Sequence, residues 1–593
     1  MDRKSIIIVV ISFLVMVLWY PLVVNKLYPP RPLPAGQTNL VSSASNAPSL
    51  GQTPASSLVA ETPAAAPQIK QVVGTNVPET LLEITNNLAH YTFSSHGGGL
   101  TRVELLRYPE TVSVRDQGQS NRFATLNLFT ESPTLSVLDG PALQGDGVFE
   151  LRAESGGVVA EKTLPNGLKI VKQFQISTNY LVRANVRLEN TSTGSLSLPA
   201  QSWVVGTGTP MGAGDNGQTV GVQWYNGSKA EEVGAAFFSS RGFMCVPKVP
   251  PTEYKGGASN VFWVAVHNQF FALAAMPQSP AQSVLVHKTT LPADWSGTTN
   301  ATSSDAFQAT MVYPAAVLAP GKALEQQVFL YAGPKEYRLL ARIGSDFNNN
   351  IDLVMGYSGF FGFFAKALLL TMNWFHNVLR FSYAWAIIAI TVIIKSVFWP
   401  LTQASTRSMK RMQELQPQMK AIQEKYKEDP VKMNRKTMEF MKENKVSPLG
   451  GCLPMLLQIP VFFGFYRMIQ SAIELRGASF LWIHDLAKPD TLFFIPGTTF
   501  PFNLLPLIMG VTMLWQARMT PISPGMDPAQ AKIMKYMPLM FMVFLYNFSA
   551  GLTLYWTVQN LLTIAQTKLT RTTSAKPTPA AAPVLTSPVK KRK

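Results

Sequence analysis

Hydrophobic positions follow two different patterns along this chain. Long apolar runs lie near the N-terminus and after about residue 355, while short alternating runs fill the region between 78 and 335. The long runs approach the ~20 residues that a helix needs to cross a bilayer, and the alternation has the two-residue period of half-buried β-strands. The pattern therefore predicts a polytopic α-helical membrane protein that carries a large extracytoplasmic β-sandwich domain.

The N-terminal region predicts an anchor followed by a tether. Residues 1–28 contain the run IIIVVISFLVMVLWYPLVV after Arg3 and Lys4. This run is longer than the apolar core of a secretory signal peptide, and no small-residue cleavage site follows it. Residues 29–77 are rich in Pro, Ala and Ser, and such a segment cannot bury enough apolar surface to fold. We expect an uncleaved N-terminal membrane anchor and a disordered linker.

The middle of the chain, residues 78–345, predicts the antiparallel β-sandwich. Runs such as GLKIVKQFQIS (167–177) and YLVRANVRLEN (180–190) alternate in polarity and end at Gly, Asn or Pro, which is typical of sandwich strands and their turns. The histidines of this region lack paired metal-ligand spacing, and the chain has no GxxxxGK[ST] phosphate loop. We therefore predict no catalytic residues, no metal and no cofactor.

The remaining apolar runs predict a helical membrane region. An interfacial amphipathic helix is expected at 350–382, and a water-exposed helical hairpin at 403–446. Together with the anchor, six spans are predicted. The other five are 383–402, 449–473, 502–518, 532–549 and 551–569. An outer loop is expected at 474–501, an inner loop at 519–531 and a basic tail at 570–593.

The placement of charge predicts the orientation of these spans. The chain has a net charge of +17 although only 14% of its residues are charged, against about 25% in soluble proteins. Eleven Lys and Arg residues lie in the hairpin at 403–446, next to apolar runs. This is the positive-inside pattern of a membrane protein, and not the basic patch of a sequence-specific nucleic-acid-binding domain. Both termini and the hairpin are expected in the cytoplasm, and the β-domain outside.

One cation interrupts an apolar run. In IIAITVIIKSVFWPLT (387–402), Lys395 lies roughly 10 Å from the end of the predicted span, and Thr391 and Thr402 share its helix face. Further polar positions in apolar helices are Gln458, Gln559, Thr563 and Gln566. Lys395 could snorkel to the headgroups. Alternatively, converging polar stripes form a hydrated cavity that is open to the cytoplasm.

Methionine is concentrated in the same region. Of the 24 methionines, 18 lie between Met355 and Met542. Those with helical spacing in the hairpin are Met409, Met412, Met419 and Met433. Because methionine is flexible and polarizable, a methionine-rich surface can adapt to many apolar partners. Ordinary core filling explains the same spacing equally well.

Several sequence blocks closely resemble the YidC-type membrane protein insertases of Gram-negative bacteria. These blocks are TVIIKSVFWPLT (391–402), SPLGGCLPMLLQIPVFFGFYRMI (447–469), SFLWIHDLAKPD (479–490), LLPLIMGVTMLWQARMTP (504–521), DPAQAKIMKYMPLMFMVF (527–544) and SAGLTLYWTVQNLLT (549–563). YTFSSHGGGLTRVELLRY (91–108) resembles the start of the outer β-domain of that family.

The resemblance implies a multi-pass protein of the cell inner membrane with a periplasmic β-domain and a five-helix core. In such proteins a hydrophilic groove, open to cytoplasm and lipid, receives nascent membrane proteins and assists their insertion and folding. The groove cation of the family, commonly Arg, matches Lys395 here, and Thr391, Gln458 and Trp556 border the groove by the same matching. The activity implied is not that of an enzyme.

The resemblance also implies partners. Nascent membrane proteins would meet the hairpin first, and the basic tail and cytoplasmic loops would contact the ribosome. Membrane lipids and the general secretion translocon are further candidate partners. Two rival hypotheses remain open from the residues alone: a small-solute transporter, which predicts paired intramembrane carboxylates or inverted repeats, and a membrane-anchored carbohydrate-binding protein that works through the β-domain.

Overall fold

The computed structural model describes residues 77–112, 122–128, 132–138, 141–212, 215, 217–239, 249–292, 305–444, 453–498, 500–519 and 528–572. The predicted N-terminal anchor, almost all of the predicted linker and most of the basic tail lie outside these ranges. The described chain forms two compact units. The first comprises 77–373 and 461–487, and the second comprises 374–460 and 488–572.

The first unit contains the β-domain, whose strand pairs are all antiparallel. Its strands are β1 Leu81–Thr85, β2 Ala89–Ser94, β3 Gly99–Pro109, β4 Phe123–Leu126, β5 Val137–Leu138, β6 Glu150–Glu154, β7 Gly157–Thr163, β8 Leu168–Ile176, β9 Leu181–Asn190, β10 Leu196–Leu198, β11 Gln201–Gly208, β12 Gly221–Tyr225, β13 Ala230–Gly234, β14 Glu253–Gly256, β15 Trp263–His267, β16 Phe271–Pro277, β17 Ser283–Thr290, β18 Asp305–Tyr313, β19 Ala316–Leu318 and β20 Ala323–Pro334.

Two large sheets face each other across the core of this domain. The nine-stranded sheet has the order β13-β12-β15-β16-β20-β9-β8-β7-β6, and the five-stranded sheet has the order β14-β17-β18-β11-β5. Strands β11 and β18 of the smaller sheet pack on β12, β15 and β16 of the larger one. In β9 every second residue is buried, which is the period that the sequence shows. The predicted antiparallel β-sandwich is confirmed.

A lysine lies in the core of this sandwich. Lys172 of β8 is fully buried, and its ammonium donates hydrogen bonds of 2.6 Å and 2.8 Å to the carbonyls of Gly97 and Leu135. The same ammonium lies 4.4 Å from the centre of the Phe149 ring. Burial, and to a smaller extent the charge of Lys162, lowers the pKa of Lys172 to about 7.

The first unit also includes residues 461–487, which contain the second half of the helix Leu453–Ser471. The guanidinium of Arg476 donates bonds of 2.7 Å and 2.9 Å to the carbonyls of Pro109 and Glu110 at the end of β3, and it packs on the ring of Phe271. Nearby, Asn373 donates a 2.9 Å bond to Glu474. Residues 461–487 are therefore anchored to the β-domain by polar contacts.

Helices and one hairpin make up the rest of the described chain. The helices are α1 Pro141–Gln144, α2 Tyr337–Asp346, α3 Gly359–Leu379, α4 Tyr383–Val397, α5 Trp399–Glu414, α6 Gln416–Lys425, α7 Pro430–Glu443, α8 Leu453–Ser471, α9 Leu504–Met519, α10 Pro528–Phe544 and α11 Ala550–Thr572; short 3-10 helices lie at Gly217–Thr219, Ile351–Met355 and Ile473–Leu475, and β21 Thr491–Phe494 pairs with β22 Pro501–Asn503.

Helix boundaries differ from the expected ones where local chemistry interrupts the apolar pattern. The span predicted at 383–402 divides at Phe398 into α4 and α5. Pro400 explains this division, because it has no N–H to donate and is tolerated only in the first turn of a helix. Helix α9 begins at Leu504, where a carboxylate oxygen of Asp490 accepts a 2.6 Å bond from the N–H of Leu505.

Among the described helices, none is by itself long and apolar enough to cross a bilayer. Helices α3 and α4 meet that requirement only as a pair, with a 119° bend between them, and α9 is a shorter apolar helix. The six spans therefore remain a prediction, and the first of them lies outside the described residues.

Replacing Lys172 with Met tests the contribution of the buried ammonium. The unfolded chain keeps a lysine pKa near 10.4, so between about pH 7 and 10 it binds more protons than the folded chain. The wild-type free energy of unfolding therefore rises with pH in this window. Lys172→Met removes this rise, and because two buried carbonyls lose their donor it also destabilises the domain by about 1–3 kcal/mol.

Hydrogen exchange of peptides from β8 in the full-length protein, at pH 7 and pH 9, measures both effects. The gap between wild type and Lys172→Met should widen at the higher pH. Lys169→Met, on the same strand but partly exposed and paired with Glu161, is the matched control and should show neither effect. Equal protection of wild type and Lys172→Met at both pH values would contradict the assignment.

Candidate functional site

The second unit brings the sequence-predicted polar stripes together. Helix α11 packs on both α4 and α9, and α9 packs on α10. On α4, Thr391 is fully buried and Lys395 is only 7% exposed. The two residues lie one helical turn apart on the face that the spacing predicts. Lys395 is thus enclosed by the helices of its own unit.

The ammonium of Lys395 has a neutral partner. It donates a 2.8 Å hydrogen bond to the hydroxyl oxygen of Thr563 on α11, and that hydroxyl donates in turn to the carbonyl of Gln559 at 2.7 Å. Within the described ranges, no carboxylate comes within ion-pair distance of Lys395. The site therefore holds a positive charge that is satisfied by an alcohol and not by an acid.

More polar contacts connect α11 to its neighbours. The side-chain amide of Gln566 donates to the carbonyl of Trp399 at 3.3 Å and to the hydroxyl of Thr402. On another side of α11, Asn560 donates to the Thr512 hydroxyl of α9 at 3.2 Å. The groups that make these three hydrogen bonds are all uncharged.

The other predicted site residues differ in their burial and in their contacts. Gln559 is buried. Gln458 of α8 is half-buried and hydrogen-bonds the buried Tyr555. Trp556 is half-buried, and its ring centre lies 5.7 Å from that of Phe541 on α10. The described contacts join Lys395, Thr563 and Gln559 directly, and they do not join Gln458 or Trp556 to Lys395.

The Asn560–Thr512 pair was not predicted from the sequence. Thr512 is the one hydroxyl residue in the apolar run LLPLIMGVTMLW of α9, which is the signal that could have indicated it. Asn560 is not part of the predicted stripe, because it follows Gln559 directly and so points to a different side of the helix. Chemically, the whole cluster can bind and orient polar groups, and it offers no nucleophile paired with a base.

Comparison with known proteins identifies the family of this chain. The family model for the 60Kd inner membrane protein matches residues 374–577, and the model for the YidC periplasmic domain matches residues 81–371. The curated membrane protein insertase YidC of Syntrophus aciditrophicus is 32% identical over 95% of this chain and 98% of its own length. This chain belongs to the YidC family of membrane protein insertases.

Other YidC proteins match over most of their length. The membrane protein insertase YidC of Citrifermentans bemidjiense is 35% identical over 82% of this chain and 84% of its own. A crystal structure of an active YidC insertase is similar over 84% of this chain and 94% of that chain, with 16% identity and a TM-score of 0.33. At that score the structural likeness supports no conclusion, so membership of the YidC family rests on the sequence matches. The relatives that match in sequence are insertases and not enzymes.

The predicted methionines of the helical hairpin lie mostly in the protein interior. Met412 on α5 and Met419 on α6 are buried, and Met433 on α7 is half-buried. The side chain of Met409 lies outside the described set. Met438 of α7 is 56% exposed. Helices α6 and α7 pack on each other. Met412 and Met419 are covered in this arrangement, whereas Met438 is accessible.

Replacing Thr563 with Val tests the acceptor of Lys395. Valine keeps the shape of threonine but cannot accept a hydrogen bond, so a buried ammonium loses its partner. The expected cost is at least about 1–3 kcal/mol, because an unsatisfied charged group costs more than a neutral one. Thermal unfolding of the purified protein in detergent measures the loss. Thr557→Val is the matched control, because Thr557 is buried on the same helix and its hydroxyl donates only to the backbone of Thr553. Equal losses in the two variants would show that Thr563 has no special role.

Proposed function

We propose that this protein inserts nascent membrane proteins into the inner membrane and assists their folding. The five predicted spans that follow the β-domain would form a hydrophilic groove, open to the cytoplasm and to lipid, with Lys395 as its cation. The observation that carries the proposal is the buried ammonium of Lys395, which is bonded to the Thr563 hydroxyl and has no described acidic partner. Membership of the insertase family supports the same reading.

Helix directions support this arrangement. Lys395 pairs with Thr563, and Thr402, further along, pairs with Gln566, so α4 and α11 run in the same direction. On the other side of α11, Asn503 contacts Asn547 and Thr512 contacts Asn560, so α9 is parallel to α11 as well.

Helix α10 runs the other way. Its Met542 lies against Gly510 of α9, and the next residues after the helix reach back to Asn503. Alternating directions are what successive spans require. With the hairpin at 403–446 in the cytoplasm, this order supports the proposal that the end of α11 faces the cytoplasm. The proposed topology has both termini in the cytoplasm and the β-domain in the periplasm.

The proposed mechanism follows from the donors of lysine. A lysine ammonium has three N–H donors, and one of them is bonded to Thr563. A carbonyl or carboxylate in the polar flank of a client would take the place of the Thr563 hydroxyl as the acceptor of Lys395. The flank would then have a hydrogen-bond partner while it crosses the membrane. The apolar segment of the client then moves sideways into lipid, where each buried CH₂ contributes about 0.8 kcal/mol. No bond is made or broken.

Lysine in place of arginine limits what the groove can recognise. Arginine offers a planar fork that binds a carboxylate through two parallel bonds, whereas lysine is a compact point charge on a flexible stem. We propose that Lys395 acts through its charge, and that Thr391, Gln458, Trp556 and Gln559 supply polar or amphipathic surface around it. The hairpin of α5, α6 and α7 would receive clients through its methionines once it opens. The basic tail and cytoplasmic loops would contact the ribosome, and lipids and the general secretion translocon would be further partners.

The sequences of the helices argue against ion-coupled transport. A transporter of that kind usually holds paired acidic residues at membrane depth. Helices α4, α9, α10 and α11 contain no Asp or Glu. A lone cation among alcohols and amides suits passing polypeptide better than a bound counter-ion.

Charge reversal at Lys395 should impair insertion, while Lys395→Arg should retain it. Glu at this depth repels an acidic flank and lacks a described basic partner, so insertion of a client with an acidic translocated flank should fall at least severalfold. Reconstituted proteoliposomes and a protease-protection assay measure the inserted fraction. Lys568→Glu makes the same change of charge at an exposed position of α11 and should insert normally. If Lys395→Glu inserts such a client as well as wild type does, the groove role is refuted.

A photo-crosslinker at Trp556 should capture a stalled nascent membrane protein. Trp556 is half-buried beside the polar cluster of α11, so a client in the groove passes within reach. The same crosslinker at Val511 of α9, which is 65% exposed, should capture lipid instead. The adducts are identified by mass spectrometry of stalled ribosome complexes. Client adducts at 511 and none at 556 would place the path elsewhere.

A further inference from the structure

The hairpin of β21 and β22 presents an apolar tip on both of its faces. Residues 492–498 are exposed without interruption, as is Phe500 beyond the turn. The large apolar side chains and their exposed fractions are Leu492 42%, Phe493 52%, Phe494 41%, Ile495 39% and Phe500 52%. Because successive residues of a strand point to opposite faces, neither face of β21 is polar.

The chemistry of this tip is unusual for a surface in water. The hairpin sequence TLFFIPGTTFPFN (491–503) contains no charged residue. Antiparallel strands with a solvated face normally carry polar side chains there, and exposed edge strands usually carry charges or are covered. A two-stranded hairpin is at best marginally stable alone in water. This tip therefore suits an apolar surrounding.

The turn and the base of the hairpin are well defined. Ile495 accepts a 3.0 Å bond from the N–H of Thr498, and Gly497 between them has φ +78°, as a type II Pro-Gly turn requires. At the base, Asn503 bonds the backbone of Tyr546, the residue that leads from α10 to α11. The hairpin is thus held firmly by polar contacts at one end and is apolar at the other.

We propose that this hairpin lies in the interfacial layer of the outer leaflet and anchors the outer end of α9 to lipid. The proposal rests on the proposed orientation, in which α9 crosses the membrane and its first residue is at the periplasmic side. Helix α9 follows β22 directly and has 16 residues, or about 24 Å, against ~30 Å of hydrocarbon. The hairpin adds apolar surface at the first residue of α9, and so compensates for the short length of this helix.

The depth of the hairpin follows from its backbone. Among the described residues this sheet has two strands, so each strand has an open edge. Unpaired N–H and C=O groups are not tolerated in the hydrocarbon core. In the interfacial layer, water and headgroups can pair with these backbone groups, while Phe and Leu side chains reach the boundary with the acyl chains. The occupant of the surface is therefore lipid at the headgroup boundary. The lack of charge predicts no dependence on anionic lipid.

Spin labels at Leu492→Cys and Ile495→Cys test this position in a full-length protein whose Cys245 and Cys452 are replaced by Ser. The protein is reconstituted in liposomes of phosphatidylethanolamine with or without phosphatidylglycerol. Accessibility to oxygen, which partitions into lipid, is compared with accessibility to a water-soluble nickel chelate. Val317→Cys, 72% exposed on the β-domain, is the aqueous control, and Val511→Cys on α9 is the lipid control.

We expect the oxygen-to-nickel ratio at 492 or 495 to exceed that at 317 severalfold in both lipid mixtures. A ratio equal to that at 317, with a lipid-like ratio at 511, overturns the hairpin proposal alone. An aqueous ratio at 511 overturns the orientation of α9 and the hairpin proposal together. Shielding of 492 and 495 from both reagents shows that protein covers the tip and also overturns the lipid assignment. The measurement uses no client, so it is independent of the insertion outcome for Lys395→Glu.

Discussion

The second unit depends on one constraint, which is that a lysine ammonium within an apolar helix must have a partner. Burial takes the charged group out of water, and this is costly unless another group supplies a hydrogen bond. Here the partner is the hydroxyl of Thr563, and it fixes which face of α11 meets α4. Once that register is set, Gln566 reaches the Thr402 hydroxyl and Asn560 reaches Thr512 on the other side. The order of the helices follows from these pairs.

A neutral partner makes the site exchangeable. Removing one member of a buried ion pair costs about 3–5 kcal/mol, whereas a hydrogen bond to a charged group contributes about 1.5–3 kcal/mol net. If Lys395 were paired with a carboxylate, a client would have to break the stronger interaction before it could bind. Pairing with Thr563 leaves the charge in place and keeps the cost of exchange low. This balance suits the role proposed for the site, in which it accepts many unrelated polypeptides in turn.

The sequence predicted those parts of the structure that have a regular period. Alternation along β9 predicted a sandwich strand, and the spacing of Thr391 and Lys395 predicted one polar face of α4. Thr402, which the spacing assigns to the same helix face, lies on α5 instead. It did not predict β21 and β22, because their strands are too short to show a period and their apolar residues have no polar alternation. Nor could it show that Met412 and Met419 are buried, since an amphipathic face looks the same whether a client or a neighbouring helix covers it.

The two structural units do not coincide with the two family matches, which meet between 371 and 374. Residues 461–487 belong to the β-domain unit, and Arg476 within them depends on the carbonyls of Pro109 and Glu110. Deleting the β-domain would leave the Arg476 guanidinium without these acceptors. The deletion would therefore disturb the segment between α8 and β21. Loss of function after such a deletion therefore does not distinguish a ligand-binding β-domain from a supporting one. Substitutions on the outer surface of the sandwich, which leave β3 intact, separate the two roles.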